Sequence, residues 1–240
     1  MLTVASLHRR FYSTDHHDGT IRFYSRILRD ADVGSIVLDL GAGPKPQRGI
    51  GTLKGRVAKL VGADVDEVVL SNPGLDEAVT VEAGRPLPFL SDTFDLVYSD
   101  YVVEHVENPT EFLSEVYRVL KPGGCFHFRT PNIYHYVTLI SRVTPHRFHV
   151  LVANAARRLP PDTHEPWPTF YRLNSRRSIT RAAQSVGFSV GLEMIECSPD
   201  YLRFHPLAYM MGILYERAIN FTDATAGLRV NILARLLKAP

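Results

Sequence analysis

Cysteine and long uncharged apolar runs are both scarce in this chain of 240 residues. The two cysteines, Cys125 and Cys197, lie 72 residues apart, which provides neither a disulfide framework nor a metal-ligand spacing, so we expect a reducing, cytoplasmic setting. The run PLAYMMGILY (206–215) has about half the length of a membrane-spanning helix. The N-terminus, MLTVASLHRRFYS, carries its positive charges after its short apolar part, unlike a signal peptide. We therefore expect a soluble protein without stable membrane insertion.

The net charge of +2 conceals a strong asymmetry along the chain. Residues 62–115 contain thirteen Asp and Glu against one Arg, whereas residues 121–181 contain ten Lys and Arg against two acids. Two interpretations follow: the segments form complementary solvated surfaces, or the basic segment meets an anionic acceptor.

Apolar patterning predicts strands that alternate with helices. Short β-rich runs begin at Ser35, Lys59, Asp95 and Cys125. Between the last two lies NPTEFLSEVYRVL (108–120), whose helical spacing predicts a helix capped by Asn108. A later helix is predicted over SRRSITRAAQSVGF (175–188) and a strand over FSVGLEMIEC (188–197). LRVNILARLL (228–237) is compatible with a strand or a helix, and we favour the strand. This alternation indicates a parallel sheet covered on both faces.

The stretch VLDLGAGPKPQ (37–47) resembles a nucleotide-binding turn. Gly41 and Gly43 allow a tight turn and close backbone approach to a ligand, and Asp64 follows 21 residues after Gly43, where an acid would bind a ribose diol. A dinucleotide fits poorly, because Pro44 and Pro46 remove two N–H donors where a pyrophosphate needs a helix N-terminus. Other adenosyl ligands remain compatible with the turn.

Five motifs in order and at suitable spacing carry a family resemblance: VLDLGAG (37–43), GADVD (62–66), GRPLPF (84–89), FDLVYSDYVVEHV (94–106) and RVLKPGG (118–124). With them the chain resembles the class I S-adenosylmethionine (SAM)-dependent methyltransferases that act mostly on small molecules. The resemblance implies a Rossmann-like, doubly wound α/β fold whose seven-stranded sheet is mostly parallel with the last strand antiparallel. It implies a single domain over 1–240, with a SAM-binding core at 35–132 and acceptor-side helical insertions at 133–170 and 198–227 that form a lid.

The resemblance also assigns residues to the cofactor. Those expected to hold the methionine part of SAM are Asp39, Gly41, Ala42 and Gly43. Those expected at the ribose and adenine are Asp64, Val65, Glu82, Ala83, Gly84 and Arg85. Those expected to face the SAM amino group are Ser99 and Asp100.

Catalysis of methyl transfer depends mainly on positioning, and a general base adds a smaller factor. His105, beside Glu104, is one candidate catalytic residue, although a structural role is the alternative. His164 is the second, in a segment with Trp167 that forms either an aromatic acceptor pocket or a packed loop. No histidine spacing of a metal site appears, so we expect no metal. Arg157 and Arg158 either bind an acceptor anion or lie on a solvated face.

These observations predict an enzyme that transfers methyl from SAM to a small-molecule acceptor, at oxygen or carbon, and releases S-adenosylhomocysteine. A non-catalytic SAM-binding protein is the alternative. Nucleic-acid methylation ranks lower, because Ser99-Asp100-Tyr101-Val102 stands where base-amino methyltransferases carry an Asn/Asp-Pro-Pro-aromatic run. The acceptor, the oligomeric state and the conformation of residues 44–56 do not follow from the sequence.

Overall fold

The computed structural model describes residues 3–44, 53–143 and 167–240, with the backbone alone for 141–143. The predicted site residue His164, the pair Arg157 and Arg158, and Pro46 of the glycine turn lie outside these ranges.

Seven strands form one sheet in the order β3-β2-β1-β4-β5-β7-β6. Their bounds are β1 Ile36–Leu40, β2 Lys59–Asp64, β3 Glu77–Thr80, β4 Phe94–Asp100, β5 Leu120–Pro131, β6 Ser189–Ile195 and β7 Asn231–Leu237. The pairs β3-β2, β2-β1, β1-β4 and β4-β5 are parallel. Because the order reverses between β1 and β4, the carboxyl ends of these two strands meet where α/β sheets bind ligands.

The last strand runs antiparallel, as predicted. At the start of β5, Lys238 N donates to Gly124 O, and at its end Asn132 N donates to Val230 O. The end of β7 therefore lies beside the start of β5, and the start of β7 beside the end of β5, so the two strands are antiparallel. The fold-class prediction of a mostly parallel, seven-stranded Rossmann-like sheet is confirmed.

The central strands are buried because their residues are apolar on both faces. In β1 all but Ile36 are buried, and in β4 the buried run extends from Leu96 to Ser99. Such continuous burial is typical of parallel strands covered by helices. The short β3 has four half-exposed or exposed residues, so no apolar run marks it in the sequence.

Helices associated with the sheet are α2 (Gly19–Asp30), α3 (Pro109–Val119) and α5 (Arg176–Val186). The predicted ends of α5 are confirmed: Ser175 forms a capping box with Ser178, and Gly187 adopts φ +108°. Asn108 is at the N-cap of α3 with Pro109 at the first helical position, as predicted, but its side chain makes no capping hydrogen bond and its amide instead donates to Glu111 Oε2.

The chain divides into two compact units. The sheet unit comprises Thr20–Thr130, Thr169–Glu193 and Ile232–Pro240. The helical unit comprises Met1–Gly19, Pro131–Pro168 and Met194–Asn231. The predicted insertions 133–170 and 198–227 fall almost entirely in the helical unit. Their role as a lid, and the single-domain organisation, stay predictions.

The helical unit contains α1 (Val4–Phe11), α4 (Tyr136–Val143) and α6 (Pro206–Asn220). Helix α1 packs on α6 through a buried cluster of Leu7, Tyr12, Tyr209 and Ile213. Across the described ranges, no helix combines the length and hydropathy that crossing a bilayer requires.

Candidate cofactor-binding site

The glycine turn follows directly from the end of β1. Gly41 has φ +91° and Gly43 has φ +58°, both in the region that favours glycine. The Gly41 N–H donates to Ala63 O at 2.7 Å, which fastens the turn to β2. A Cβ on Gly41 would lie 2.2 Å from Val102 Cγ2, whereas a Cβ on Gly43 would meet no described atom within 4 Å. Gly41 is therefore required for packing, and Gly43 leaves space on the ligand side of the turn.

Asp64 ends β2 beside this turn. Its Oδ2 accepts from Gly43 N at 2.9 Å and its Oδ1 from Asp66 N at 3.0 Å. The fold thus brings together two residues 21 positions apart, as the spacing predicted. The neighbouring Val65 is 37% exposed and offers an apolar surface at the same edge.

Asp39 places a buried carboxyl under the turn. Tyr98 Oη on β4 donates to Asp39 Oδ2 at 2.7 Å. The pKa of Asp39 is raised to about 7, mainly by burial and also by the carboxylates of Asp100 and Asp64, while the Tyr98 hydrogen bond opposes the shift. A cationic ligand group placed here would favour the ionised carboxylate and promote release of its proton.

Ser99 and Asp100 end β4 and differ sharply in their surroundings. Ser99 is fully buried, and within the described ranges its Oγ has no hydrogen-bond partner. Asp100, in contrast, accepts from both Nε and Nη2 of Arg129 at 2.6 Å. The Arg129 guanidinium also lies over the ring of Tyr101, 4.5 Å from its centroid. Ser99 has an open hydrogen-bonding capacity, whereas the Asp100 carboxylate is already neutralised.

The segment after β3 is exposed to solvent. Glu82 and Arg85 form an ion pair at 3.7 Å with side chains 82% and 75% exposed, and Gly84 between them has φ +73°. Both charged side chains are therefore free to rearrange around a ligand, since an exposed pair of this kind contributes little stability. The assignment of Glu82, Ala83, Gly84 and Arg85 to adenine stays a prediction.

His105 and Glu104 belong to one 3-10 turn, Val103–His105, directly after β4. His105 is half-buried, whereas Glu104 is buried and accepts from Thr130 Oγ1 at 3.3 Å. Burial raises the pKa of Glu104 to about 7. The Glu104 carbonyl also accepts from the N–H groups of Phe170 and Tyr171. The Glu104 carbonyl thus holds the segment at Phe170 and Tyr171, which also belongs to the sheet unit, next to the turn that carries the candidate base His105.

The motifs and the fold match known proteins. Residues 38–128 match a family model described as "Methyltransferase domain". The chain is 34% identical to the ubiquinone/menaquinone biosynthesis C-methyltransferase UbiE of Hydrogenovibrio crunogenus, over 38% of this chain and 40% of that relative. It is 32% identical to the sarcosine/dimethylglycine N-methyltransferase of Aphanothece halophytica, over 52% of this chain and 50% of that relative. The matches span half or less of each relative's length.

A solved structure shows the same fold. It is an S-adenosylmethionine-dependent methyltransferase from Mesorhizobium loti, with a TM-score of 0.55 and 15% identity over 92% of this chain and 99% of that one. Motifs, family model and sheet order agree. Residues 38–128 therefore belong to the methyltransferase domain family, and the sheet has the fold of class I SAM-dependent methyltransferases.

The fit of this site to SAM rests on its own atoms. Among the described residues, the turn has space beside Gly43, a buried carboxyl at Asp39 and a buried Ser99 hydroxyl without a hydrogen-bond partner. SAM carries an ammonium, a sulfonium cation and a ribose diol, which these groups suit. The individual residue assignments stay predictions.

Among the described residues, one cluster has donor atoms of the kinds that bind metals: Asp30, Cys125 and His127. Arg235 Nε donates to Asp30 Oδ2 at 2.6 Å, and His127 Nε2 lies 2.7 Å from the same oxygen. Burial, together with Asp30, raises the pKa of the Cys125 thiol to about 12. A cationic guanidinium on the shared carboxylate and a protonated thiol favour a hydrogen-bonded ion-pair cluster over a metal site.

Several residues around this site were missed by the sequence analysis. Val102 limits the size of residue 41, Tyr98 holds Asp39, and Arg129 neutralises Asp100. Tyr98 and Val102 lie within the motif FDLVYSDYVVEHV, so the motif marked their neighbourhood. No pattern marks Arg129, because its partner is 29 residues away on a neighbouring strand.

Proposed function

We propose that this protein transfers a methyl group from SAM to a small-molecule acceptor and releases S-adenosylhomocysteine. The observation that carries the proposal is the cradle at the carboxyl ends of β1 and β2, within the matched methyltransferase domain. In it Asp64 bonds to Gly43 and Asp39 lies buried beneath the turn. The activity of the whole protein rests on this cradle and on relatives that match only part of their length.

SAM, when bound, supplies a methyl group activated by its sulfonium. The chain's part is to bind and orient, which can supply roughly 7–11 kcal/mol of the barrier reduction in such reactions. Asp39 would hold the cationic amino end, and Asp64 would accept from the ribose hydroxyls. The backbone of the glycine turn would line the space between them.

We propose an oxygen or carbon acceptor, which must lose a proton during the reaction. His105 and Glu104 are the titratable pair beside the end of β4. We assign proton acceptance to half-buried His105 and a positioning role to Glu104, because the Glu104 carboxyl is directed to Thr130. The two relatives described above are named as carbon and nitrogen methyltransferases, so a nitrogen acceptor is the principal alternative.

An anionic acceptor is the further expectation from the basic segment 121–181, which has ten basic against two acidic residues. Its arginines at 157 and 158 lie outside the described residues. The proposal therefore rests on the sequence for this point.

Replacement of Asp64 by alanine tests the binding part of the proposal. The variant removes the acceptors for the ribose and the hydrogen bond to Gly43 N, so we expect SAM affinity to fall about tenfold or more. Isothermal titration calorimetry measures the change. The matched control is Asp66→Ala, which loses only the cap of the 3-10 turn Glu67–Ser71. Equal affinity in the wild type and Asp64→Ala would contradict the assignment.

Turnover separates the enzyme from a SAM-binding protein without activity. Wild-type protein is incubated with methyl-labelled SAM and an extract of its source organism, and labelled products are identified by mass spectrometry. We expect one labelled small molecule and an equal amount of S-adenosylhomocysteine. SAM binding with no S-adenosylhomocysteine above background would favour the non-catalytic alternative.

A further inference from the structure

Two buried hydroxyl groups in the sheet unit have unmet hydrogen-bonding capacity. Tyr24 is 5% exposed and Ser99 is fully buried, and in the described part of the chain neither Tyr24 Oη nor Ser99 Oγ has a partner. Leaving such a group unsatisfied in the interior costs about 1–3 kcal/mol, so each one needs an explanation. Ser99 ends β4 at the predicted cofactor site. Tyr24 lies on α2, and no sequence motif assigns it a role.

The ring of Tyr24 lies beside Tyr98, which together with the Asp39 carboxyl that it binds is called the Asp39 cluster. The Tyr24 ring meets the ring of Tyr98 edge-on, with centroids 5.9 Å apart, and Tyr98 is the residue whose hydroxyl donates to Asp39. On α2 itself, Tyr24 packs against Phe23, with centroids 5.3 Å apart. Packing on these two rings holds the position of Tyr24, so its hydroxyl is not needed to keep the ring in place.

The charges around Tyr24 keep its hydroxyl protonated. Burial raises the pKa of the Tyr24 phenol far above its usual value, and the carboxylates of Asp100 and Asp39 raise it further, while Arg129 opposes them. A neutral phenol can accept a hydrogen bond from an ammonium and donate one to a carboxylate. The amino acid end of SAM carries both of these groups.

Asp100 is the alternative to Tyr24 as a hydrogen-bond partner for the amino acid end of SAM. Both of its carboxylate oxygens accept from Arg129, and the side chains of the pair are 6% and 5% exposed. Breaking this pair to free Asp100 would separate the buried Arg129 guanidinium from its carboxylate, which is strongly unfavourable. The Tyr24 hydroxyl needs no such rearrangement before it binds a ligand.

We propose that Tyr24 Oη hydrogen-bonds the amino acid end of SAM, which makes this residue of α2 part of the cofactor site. This inference rests on the proposed function. Asp39, Ser99 and Tyr24 then surround the ligand's amino acid group, from β1, β4 and α2. Asp100 acts by holding Arg129 and does not contact the ligand.

The test compares two ligands on the variant Tyr24→Phe. Phenylalanine keeps the ring contacts with Tyr98 and Phe23 and removes the hydroxyl alone. Calorimetry is carried out with SAM and with 5′-methylthioadenosine, which has the same nucleoside and sulfur but lacks the amino and carboxyl groups. We expect SAM affinity to fall about tenfold and 5′-methylthioadenosine affinity to change less than about twofold.

Tyr117→Phe is the matched control. Tyr117 lies near the end of α3, at the amino end of β5, and packs on Phe188 with centroids 4.9 Å apart. Like Tyr24→Phe, the control variant loses one phenol hydroxyl, and we expect it to bind both ligands with wild-type affinity. Melting of the ligand-free proteins checks that Tyr24→Phe folds as the wild type does.

Three results would overturn the inference. Unchanged SAM affinity in Tyr24→Phe would exclude the hydrogen bond. Equal losses for SAM and 5′-methylthioadenosine would place the effect at the nucleoside or in the fold. A wild-type protein that binds neither ligand would contradict the proposed function itself, and this inference with it, which distinguishes the two failures.

Discussion

The sheet unit and the helical unit both bury carboxylic acids, but they surround them differently. In the helical unit, Glu216 is 1% exposed and is bonded by Tyr12 Oη at 3.3 Å and Asn220 Nδ2 at 2.7 Å. In the sheet unit, Tyr98 donates to Asp39, and among the described residues neither the adjacent Ser99 nor Tyr24, whose ring meets that of Tyr98, has a hydrogen-bond partner for its hydroxyl. Glu216 is thus held by hydrogen bonds from its own neighbours, whereas the pair of Asp39 and Tyr98 lies next to hydroxyl groups with unused hydrogen-bonding capacity.

The comparison extends to the backbone. Gly41 and Gly43 hold positive φ angles within three residues in the sheet unit. In the helical unit, α1 begins with a capping box of Thr3 and Ser6, and α6 begins with proline at its first position. Regular helix ends serve folding, whereas the glycine turn holds backbone angles that other residues adopt only with strain. Three predictions test this contrast, from the largest expected effect to the smallest.

Gly41→Ala should produce the largest loss of stability. Alanine at φ +91° is strained, and its Cβ would lie 2.2 Å from Val102 Cγ2. We expect the free energy of unfolding to fall by about 2–5 kcal/mol, from backbone strain and overpacking together. Chemical denaturation measures the change.

The control is Gly43→Ala, which shares the positive φ but meets no described atom within 4 Å. We expect it to cost about 1–2 kcal/mol of stability. The double variant Gly41→Ala, Val102→Ala should recover part of the loss. A Gly41→Ala protein as stable as Gly43→Ala would show that the contact with Val102 does not restrict the turn.

Glu104→Gln should stabilise the protein in a pH-dependent way. Burial raises the pKa of the folded carboxyl from 4.5 to about 7. The wild-type carboxyl is therefore protonated without penalty at pH 4.5, and its ionisation destabilises the fold progressively as the pH rises through 7. Glutamine stays neutral and keeps an oxygen to accept from Thr130. We expect a gain of about 3 kcal/mol at pH 8.

Urea denaturation of the wild type and Glu104→Gln at pH 5 and pH 8 measures this difference. The gain should fall to about 1 kcal/mol at pH 5, because the unfolded carboxyl, with a pKa of 4.5, is already largely ionised there whereas the folded one is not. A constant difference at both pH values would mean that packing, and not ionisation, separates the two proteins.

Leu214→Ala should have the smallest effect, although it lies in the middle of α6. Leu214 is 64% exposed, and the adjacent Ile213 is 2% exposed in the cluster with α1. We expect Leu214→Ala to change the free energy of unfolding by less than about 0.5 kcal/mol. Ile213→Ala, the matched control, should cost about 2–4 kcal/mol because it leaves a cavity. Similar losses for both would show that the exposed face of α6 is covered in solution.

Local patterns predicted most of the sheet unit. The alternation of strands and helices, the end of α5 at Gly187 and the strand character of β7 are all confirmed. Each depends on residues close together in the chain, such as an apolar run or a cap. The short β3 was not marked by its pattern, because four half-exposed or exposed residues do not form an apolar run.

Sequence patterns predicted much less of the helical unit. They predicted two insertions at 133–170 and 198–227, but neither α1 nor the partners of α6. The bond between Tyr12 and Glu216 joins residues 204 positions apart. Pairs so distant have no periodic signal, and burial of both groups appears only once the helices pack.

The sequence alone determined the family, the sheet and the glycine turn with its acid 21 residues away, because ordered motifs and local backbone preferences encode them. The tertiary structure decided which polar groups remain available. It paired Asp100 with Arg129, placed Val102 against Gly41 and buried Tyr24 beside the Asp39 cluster without a hydrogen-bond partner among the described residues. Hydrogen-bond satisfaction depends on contacts between different strands and helices, and only the folded chain brings those groups within reach.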